Sequence, residues 1–268
     1  MINLHGNNQE KFIQHKKYIS KIMSVEITNK DVCIIIPIYK DNINQPLLYD
    51  EVESIYHTIK LMNKYDIYFL CHPNLNISFY KRFEADNVYF KFFNYKTRDE
   101  YSNMCLNYEF YKMFFDYKYM LICQTDAYIF KDELLYWCNK GYDYIGALGL
   151  FKRIYPKLLG NWSDENIGDI HNYKFIVMNG GFSLRNIKSM YELCFKYKDE
   201  LKNETFNEDC VIFWYYKDEL NIPPLEEAIK FSAENQTYAF YPKYYDKLPF
   251  GCHTRKTKYK LFDIFGIK

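Results

Sequence analysis

No run of apolar residues in the sequence approaches the ~18 expected of a membrane span, and the start, MINLHGNNQEKF, has neither the basic beginning nor the apolar core of a signal peptide. These absences lead us to expect a cytoplasmic protein, with peripheral recruitment to the inner face of a membrane left open. Charge of one sign is also missing. The 35 Lys and Arg are balanced by 34 Asp and Glu, so a net charge of +1 gives no reason to expect nucleic acid as a partner. The eight cysteines form no C-x-x-C pair and no zinc-like spacing, and several, such as Cys33 and Cys123, lie inside apolar runs as buried free thiols do. There is no internal repeat, Gly/Ser linker or low-complexity segment, so residues 1–268 read as one continuous domain.

Aromatic residues are plentiful, at 20% with 29 Tyr and 22 Phe, which suits stacking on sugars or bases; a drift in composition toward Tyr, Phe, Lys, Asn and Ile competes as the explanation. The stretch around which the chain is organised is YMLICQTDAYIF, Tyr119 to Phe130. Its first apolar run suits a strand buried on both faces of a parallel sheet, which puts Asp126 at or near the strand's C-terminal end. Open α/β sheets bind ligands in the crevice beyond those ends.

DVCIIIPIY, Asp31 to Tyr39, predicts a first central strand stopped by Pro37. Apolar spacing predicts helices over Glu51–Asn63, Ser102–Phe115, Ile187–Leu201 and Cys210–Leu220, and a less certain one over Gln9–Met23. Asp132–Lys140 is acidic at its start and basic at its end, and Gly141 stops it. Further strands are expected at Ile67–Cys71, Val88–Phe93, Tyr144–Ala147 and Lys174–Met178, the last continuing through Asn179-Gly180-Gly181 to Leu184. Two adjacent glycines in a strand imply close approach of backbone or ligand. Gly149 to Tyr173 lacks a period and reads as a lid or binding loop. Asn207 is placed to cap a helix whose first turn carries Glu208 and Asp209.

A buried strand ending in Asp, a Gly-Gly strand, Glu-Asp at a helix start and a late His together resemble a glycosyltransferase of the GT-A fold. QTDAYIF, YDYIGA, NGGFSLRN, NEDCVIFW and LPFGCH are in particular similar to a bacterial family of largely uncharacterised GT-A-like glycosyltransferases, and the matches run from about Val32 to His253. The resemblance implies an α/β, Rossmann-like fold with a central, mostly parallel sheet flanked by helices. It also implies a nucleotide-sugar donor and a glycan or lipid-linked acceptor, as in polysaccharide biosynthesis.

Carried over residue by residue, Asp126 falls on the Asp-x-Asp motif that holds a divalent metal against the donor diphosphate, and Tyr128 stands where its second Asp is expected. Mg²⁺ takes one or two protein carboxylates and completes its octahedron with phosphate and water, so one Asp suffices. His253 matches the late histidine of the metal site, and an imidazole ligand favours Mn²⁺. Glu208 and Asp209 match the pair from which inverting enzymes draw a general base. Adjacent helical residues point about 100° apart, so the two do not serve one site equally; Asp209 is the expected base and Glu208 its support or an acceptor ligand. Asn179, Gly180 and Gly181 fit the strand beside the bound sugars, Pro37 and Tyr39 the nucleotide seat, and Trp162, rather than Trp214, a sugar-stacking position. Arg255, Lys256 and Lys258 are set to meet phosphates or else are simply solvated.

Two other readings remain. A non-catalytic nucleotide-sugar or glycan-binding protein is compatible with the incomplete Asp-x-Asp. A sugar nucleotidyltransferase needs a Gly-rich loop after the first strand, and KDNINQPLLYDE has no glycine.

Overall fold

The computed structural model describes residues 26–40, 45–150 and 176–267. The expected helix at Gln9–Met23, most of the loop at Gly149–Tyr173 and Trp162 lie outside them. The strands among the described residues are β1 (Val32–Ile38), β2 (Asp66–Cys71), β3 (Val88–Phe92), β4 (Tyr119–Cys123), β5 (Tyr128–Ile129), β6 (Tyr144–Leu150), β7 (Ile176–Asn186), β8 (Ser232–Glu234) and β9 (Gly251–His253). They form one sheet in the order β3-β2-β1-β4-β7-β6-β8-β9-β5. Every residue of β1 and of β4 is buried, as unbroken β-branched and apolar runs require of central strands.

β3, β2, β1 and β4 run parallel. β7 then runs antiparallel to both β4 and β6. The sheet is thus mostly parallel, as expected, with β7 as an antiparallel strand beside β4. The reversal brings the middle of β7 to the C-terminal end of β4, where the Gln124 N–H donates to the Gly181 carbonyl at 2.8 Å.

β7 does not pass this point smoothly. Gly146 pairs with Ser183 while the next residue, Ala147, pairs with Asn179, so Gly180, Gly181 and Phe182 bulge out of the β6 ladder. A Cβ on Gly146 would lie 2.5 Å from the Asn179 carbonyl oxygen, which explains the glycine there.

The helices are α1 (Tyr49–Leu61), α2 (Arg98–Cys105), α3 (Tyr108–Lys112), α4 (Leu134–Asn139), α5 (Ile187–Lys196), α6 (Lys198–Leu201), α7 (Glu208–Val211), α8 (Leu225–Phe231) and α9 (Arg255–Phe265). Three predicted helices are broken. Ser102–Phe115 divides at Asn107, whose side chain accepts from the Glu109 N–H at 2.9 Å and starts a new helix. Ile187–Leu201 divides at Tyr197, and Cys210–Leu220 is replaced by the short α7, which begins two residues earlier and leads into a π-helical turn at Ile212–Tyr216. Asn207 precedes α7 as expected, but its side chain makes no cap; the Ser102 hydroxyl accepts the Glu208 N–H instead, at 2.7 Å.

Candidate active site

A cleft of about 670 Å³ opens beyond the C-terminal ends of β1 and β4. Its lining includes Pro37, Tyr39, Asp126, Asn179, Gly180, Gly181, Glu208, Asp209 and His253, all expected from the sequence, while Trp162 lies outside the described residues. Trp214 is not among its lining residues and packs edge-on against Phe206.

One corner is built on His253, at the end of β9. Its Nε2 lies 3.1 Å from Gln124 Oε1 and 3.4 Å from Asp126 Oδ1, while Nδ1 lies 3.5 Å from Glu234 Oε1. Burial opposes charge on this ring, yet the carboxylates of Asp126 and Glu234 outweigh it and raise its pKa to about 10. Burial likewise opposes charge on Asp126, but neighbouring His253 and more distant Lys40 hold its carboxyl below the usual range. The Asp126 side chain keeps 41% of its exposure and faces the cleft. Tyr128, at the incomplete position of the Asp-x-Asp motif, is occupied otherwise: its ring stacks on His57 at 4.4 Å and lies under the Lys258 ammonium.

The opposite corner holds Glu208 and Asp209. Glu208 Oε1 accepts from Arg185 at 2.9 Å, and both side chains are buried. Arg185 also donates to Tyr111 and Ser183, so this charge-assisted network fixes Glu208 in place. Asp209 points elsewhere, as the helical turn dictates. Its oxygens accept from the N–H groups of Cys210, at 2.7 Å, and Gly180, at 3.3 Å. Burial first and then the nearby charges of Glu208 and Glu234 push its pKa up to about 7.

The double glycine makes both corners possible. A Cβ on Gly180 would lie 1.9 Å from Glu208 Oε1, and one on Gly181 would lie 2.3 Å from His253 Nε2. The space expected to admit a sugar to the backbone is therefore taken by protein side chains, one from each corner.

The end of the cleft beside β1 carries Pro37 and the half-exposed Tyr39. Lys40 is held against Glu51 at 2.8 Å, and the Thr125 hydroxyl donates to the same carboxylate at 2.7 Å. The basic tail is solvated only in part: Arg255 and Lys256 are exposed, whereas Lys258 is buried. Arg255 pairs with Asp50, and buried Lys258 pairs with Glu53 at 2.8 Å, which pins α9 against α1.

No cluster of three His, Cys, Asp or Glu suited to a metal exists among the described residues. The Asp126–His253 pair nevertheless fits a cation that draws its remaining ligands from a diphosphate and water. Its 3.4 Å separation is close to the spacing of adjacent ligands about a metal with bonds of ~2.1 Å.

Sequence reasoning missed Arg185, Gln124, Glu51 and Glu234. Arg185 was legible in principle: it shares a strand face with Ser183 inside an apolar stretch, and a buried charge needs a partner.

The fold is that of the GT-A glycosyltransferases. The galactosyltransferase LgtC, solved with donor and acceptor sugar analogues, superposes with a TM-score of 0.50 at 14% identity, over 83% of this chain and 86% of that one. Mouse xyloside xylosyltransferase 1, in its apo form, gives 0.51 at 9% identity, over 84% of this chain and 98% of that one. The bifunctional glycosyltransferase WbbM, also apo, gives 0.50 at 13% identity, over 85% of this chain and 46% of that one. No curated protein matches the sequence. The chain belongs to the family described as "Protein of unknown function (DUF5672)", which matches residues 76–253. No helix among the described residues is long and apolar enough to cross a membrane.

Proposed function

We propose that this protein is a glycosyltransferase that moves a sugar from a nucleotide-diphosphate donor to a hydroxyl of a glycan or lipid-linked acceptor, with inversion at the anomeric carbon. The observation that carries this reading is the asymmetry of the two neighbouring carboxylates across the cleft from Asp126 and His253. Glu208 is neutralised by Arg185, whereas Asp209 forms no ion pair among the described residues and has a pKa of about 7. A general base is most effective with a pKa near the working pH.

In this mechanism the acceptor oxygen attacks the anomeric carbon while its proton passes to the Asp209 carboxylate. The bond from that carbon to the diphosphate oxygen breaks, and the electron pair leaves with the nucleoside diphosphate. Asp126 and His253 would hold a divalent cation, manganese being favoured by the imidazole. Such a cation, when bound, acts as a Lewis acid on the departing diphosphate. Pro37 and Tyr39 would seat the nucleotide, and Asn179 would border the sugars.

The test is nucleotide release from UDP-, GDP-, CMP- and dTDP-sugars with Mn²⁺ or EDTA, beside Asp126→Ala and Asp209→Asn. Metal-dependent release from one donor, lost in both variants, is the expected result. Tight donor binding without release, even with candidate acceptor glycans, would make this a binding protein on a transferase fold.

A further inference from the structure

Glu234 enters neither the sequence expectations nor the mechanism above, yet it stands between the two corners of the cleft. It is 6% exposed and lines the cavity. Oε1 accepts from Asn235 Nδ2 at 3.0 Å and faces His253 Nδ1, but Oε2 is buried with no hydrogen-bond partner among the described residues. A buried carboxylate oxygen left unpaired is costly, and native proteins seldom keep one without a ligand or a water to satisfy it.

The backbone holds it there firmly. Glu234 is the register partner of His253 across β8 and β9, and its N–H donates to Thr237 Oγ1 at 2.8 Å. The following Asn235 has a φ of +47°, a left-handed conformation uncommon outside glycine.

Charge points the same way. Glu208, Asp209 and Glu234 line this end of the cleft, and Arg185 is already committed to Glu208. An acidic group brought against Glu234 would be desolvated beside a carboxylate, whereas a hydroxyl or ammonium group would supply the donor that Glu234 Oε2 lacks.

We propose that Glu234 is a specificity-determining residue: it hydrogen-bonds a hydroxyl or ammonium group of the sugar seated between His253 and Asp209, and it excludes a sugar carrying an acidic group at that place. This rests on the transferase reading above and adds the chemical class of the sugar. That sugar is either the transferred unit or the acceptor, and the experiment separates them.

Binding of methyl glucoside, methyl glucosaminide and methyl glucuronide is measured by NMR titration with Mn²⁺ and UDP present; in a second arm UDP-glucose is compared with UDP-glucuronate. Wild type and Glu234→Gln are run in both arms. We expect the glucuronyl compound to bind at least about tenfold more weakly than its glucosyl counterpart in one arm, and that arm names the sugar. In Glu234→Gln the gap should close to within about twofold, and in the methyl glycoside arm the glucosaminide should lose any advantage it holds. Equal binding of glucosyl and glucuronyl compounds by wild type in both arms overturns the proposal whatever the variant does. So does an unchanged gap in a Glu234→Gln protein of native melting temperature. Loss of discrimination in both arms sinks this inference alone; if none of the UDP-, GDP-, CMP- and dTDP-sugars binds, the transferase reading fails and this proposal falls with it.

Discussion

Arg185 Nη2 lies 2.9 Å from Glu208 Oε1, with both side chains buried, and this single bond separates the roles of two adjacent carboxylates. It neutralises one and leaves the other to its desolvated surroundings. Breaking it strands a charge in the interior. Arg185→Met should lower the unfolding free energy by about 3–5 kcal/mol, read from urea denaturation at pH 7. A change below about 1 kcal/mol would mean that the pair does not hold the site together.

Asp209→Asn should cut donor-dependent glycosyl transfer by roughly 10²–10⁴-fold. Its effect on stability has the opposite sign. A carboxyl whose folded pKa is raised contributes stability that is fully present below the unfolded value of about 3.9 and is lost as pH rises through about 7. The asparagine variant should therefore melt at a higher temperature than wild type at pH 8.5 and lose that advantage near pH 5. For wild type the same group predicts a transfer rate that climbs as pH passes through neutrality.

His253 adds to this slope. Its pKa is raised to about 10, so its contribution to stability is complete below the unfolded value of about 6.5 and declines as pH approaches 10. His253→Asn should flatten the fall in melting temperature across that window. A metal bound at Nε2 must displace the proton, so Mn²⁺ binding with nucleotide should release a proton at pH 7.5, seen in calorimetry as a dependence on buffer ionisation enthalpy. Removing the metal with EDTA should abolish the release.

The two glycines should separate by substitution. Gly180→Ala drives a methyl into Glu208 Oε1 and should cost about 1–3 kcal/mol of stability. Gly181→Ala meets the His253 ring and should weaken Mn²⁺ binding in the presence of nucleotide more than it lowers the melting temperature. Equal effects of the two substitutions on both readouts would contradict the assignment of one glycine to each corner.

The strands and the residues at their ends were legible in sequence because local pattern sets them. An unbroken apolar run such as Val32–Ile38 or Tyr119–Cys123 can satisfy its backbone and bury its side chains only as a central strand. That fixes Pro37 and Asp126 at the C-terminal edge where an α/β sheet offers its crevice. Helix ends were less legible because caps compete locally, as Asn107 does with the run on either side of it.

What the sequence could not decide is which charge meets which. Glu208 and Asp209 are adjacent and chemically alike, and only the antiparallel return of β7 brings Arg185 to one and not to the other. Ser102 reaches the Glu208 N–H across 106 residues, and Glu234 reaches His253 because β8 and β9 lie side by side. The sequence determined that residues such as Pro37 and Asp126 stand at strand ends beside the cleft. The tertiary structure decided their protonation, because electrostatic energies depend on distances and burial that no local pattern carries.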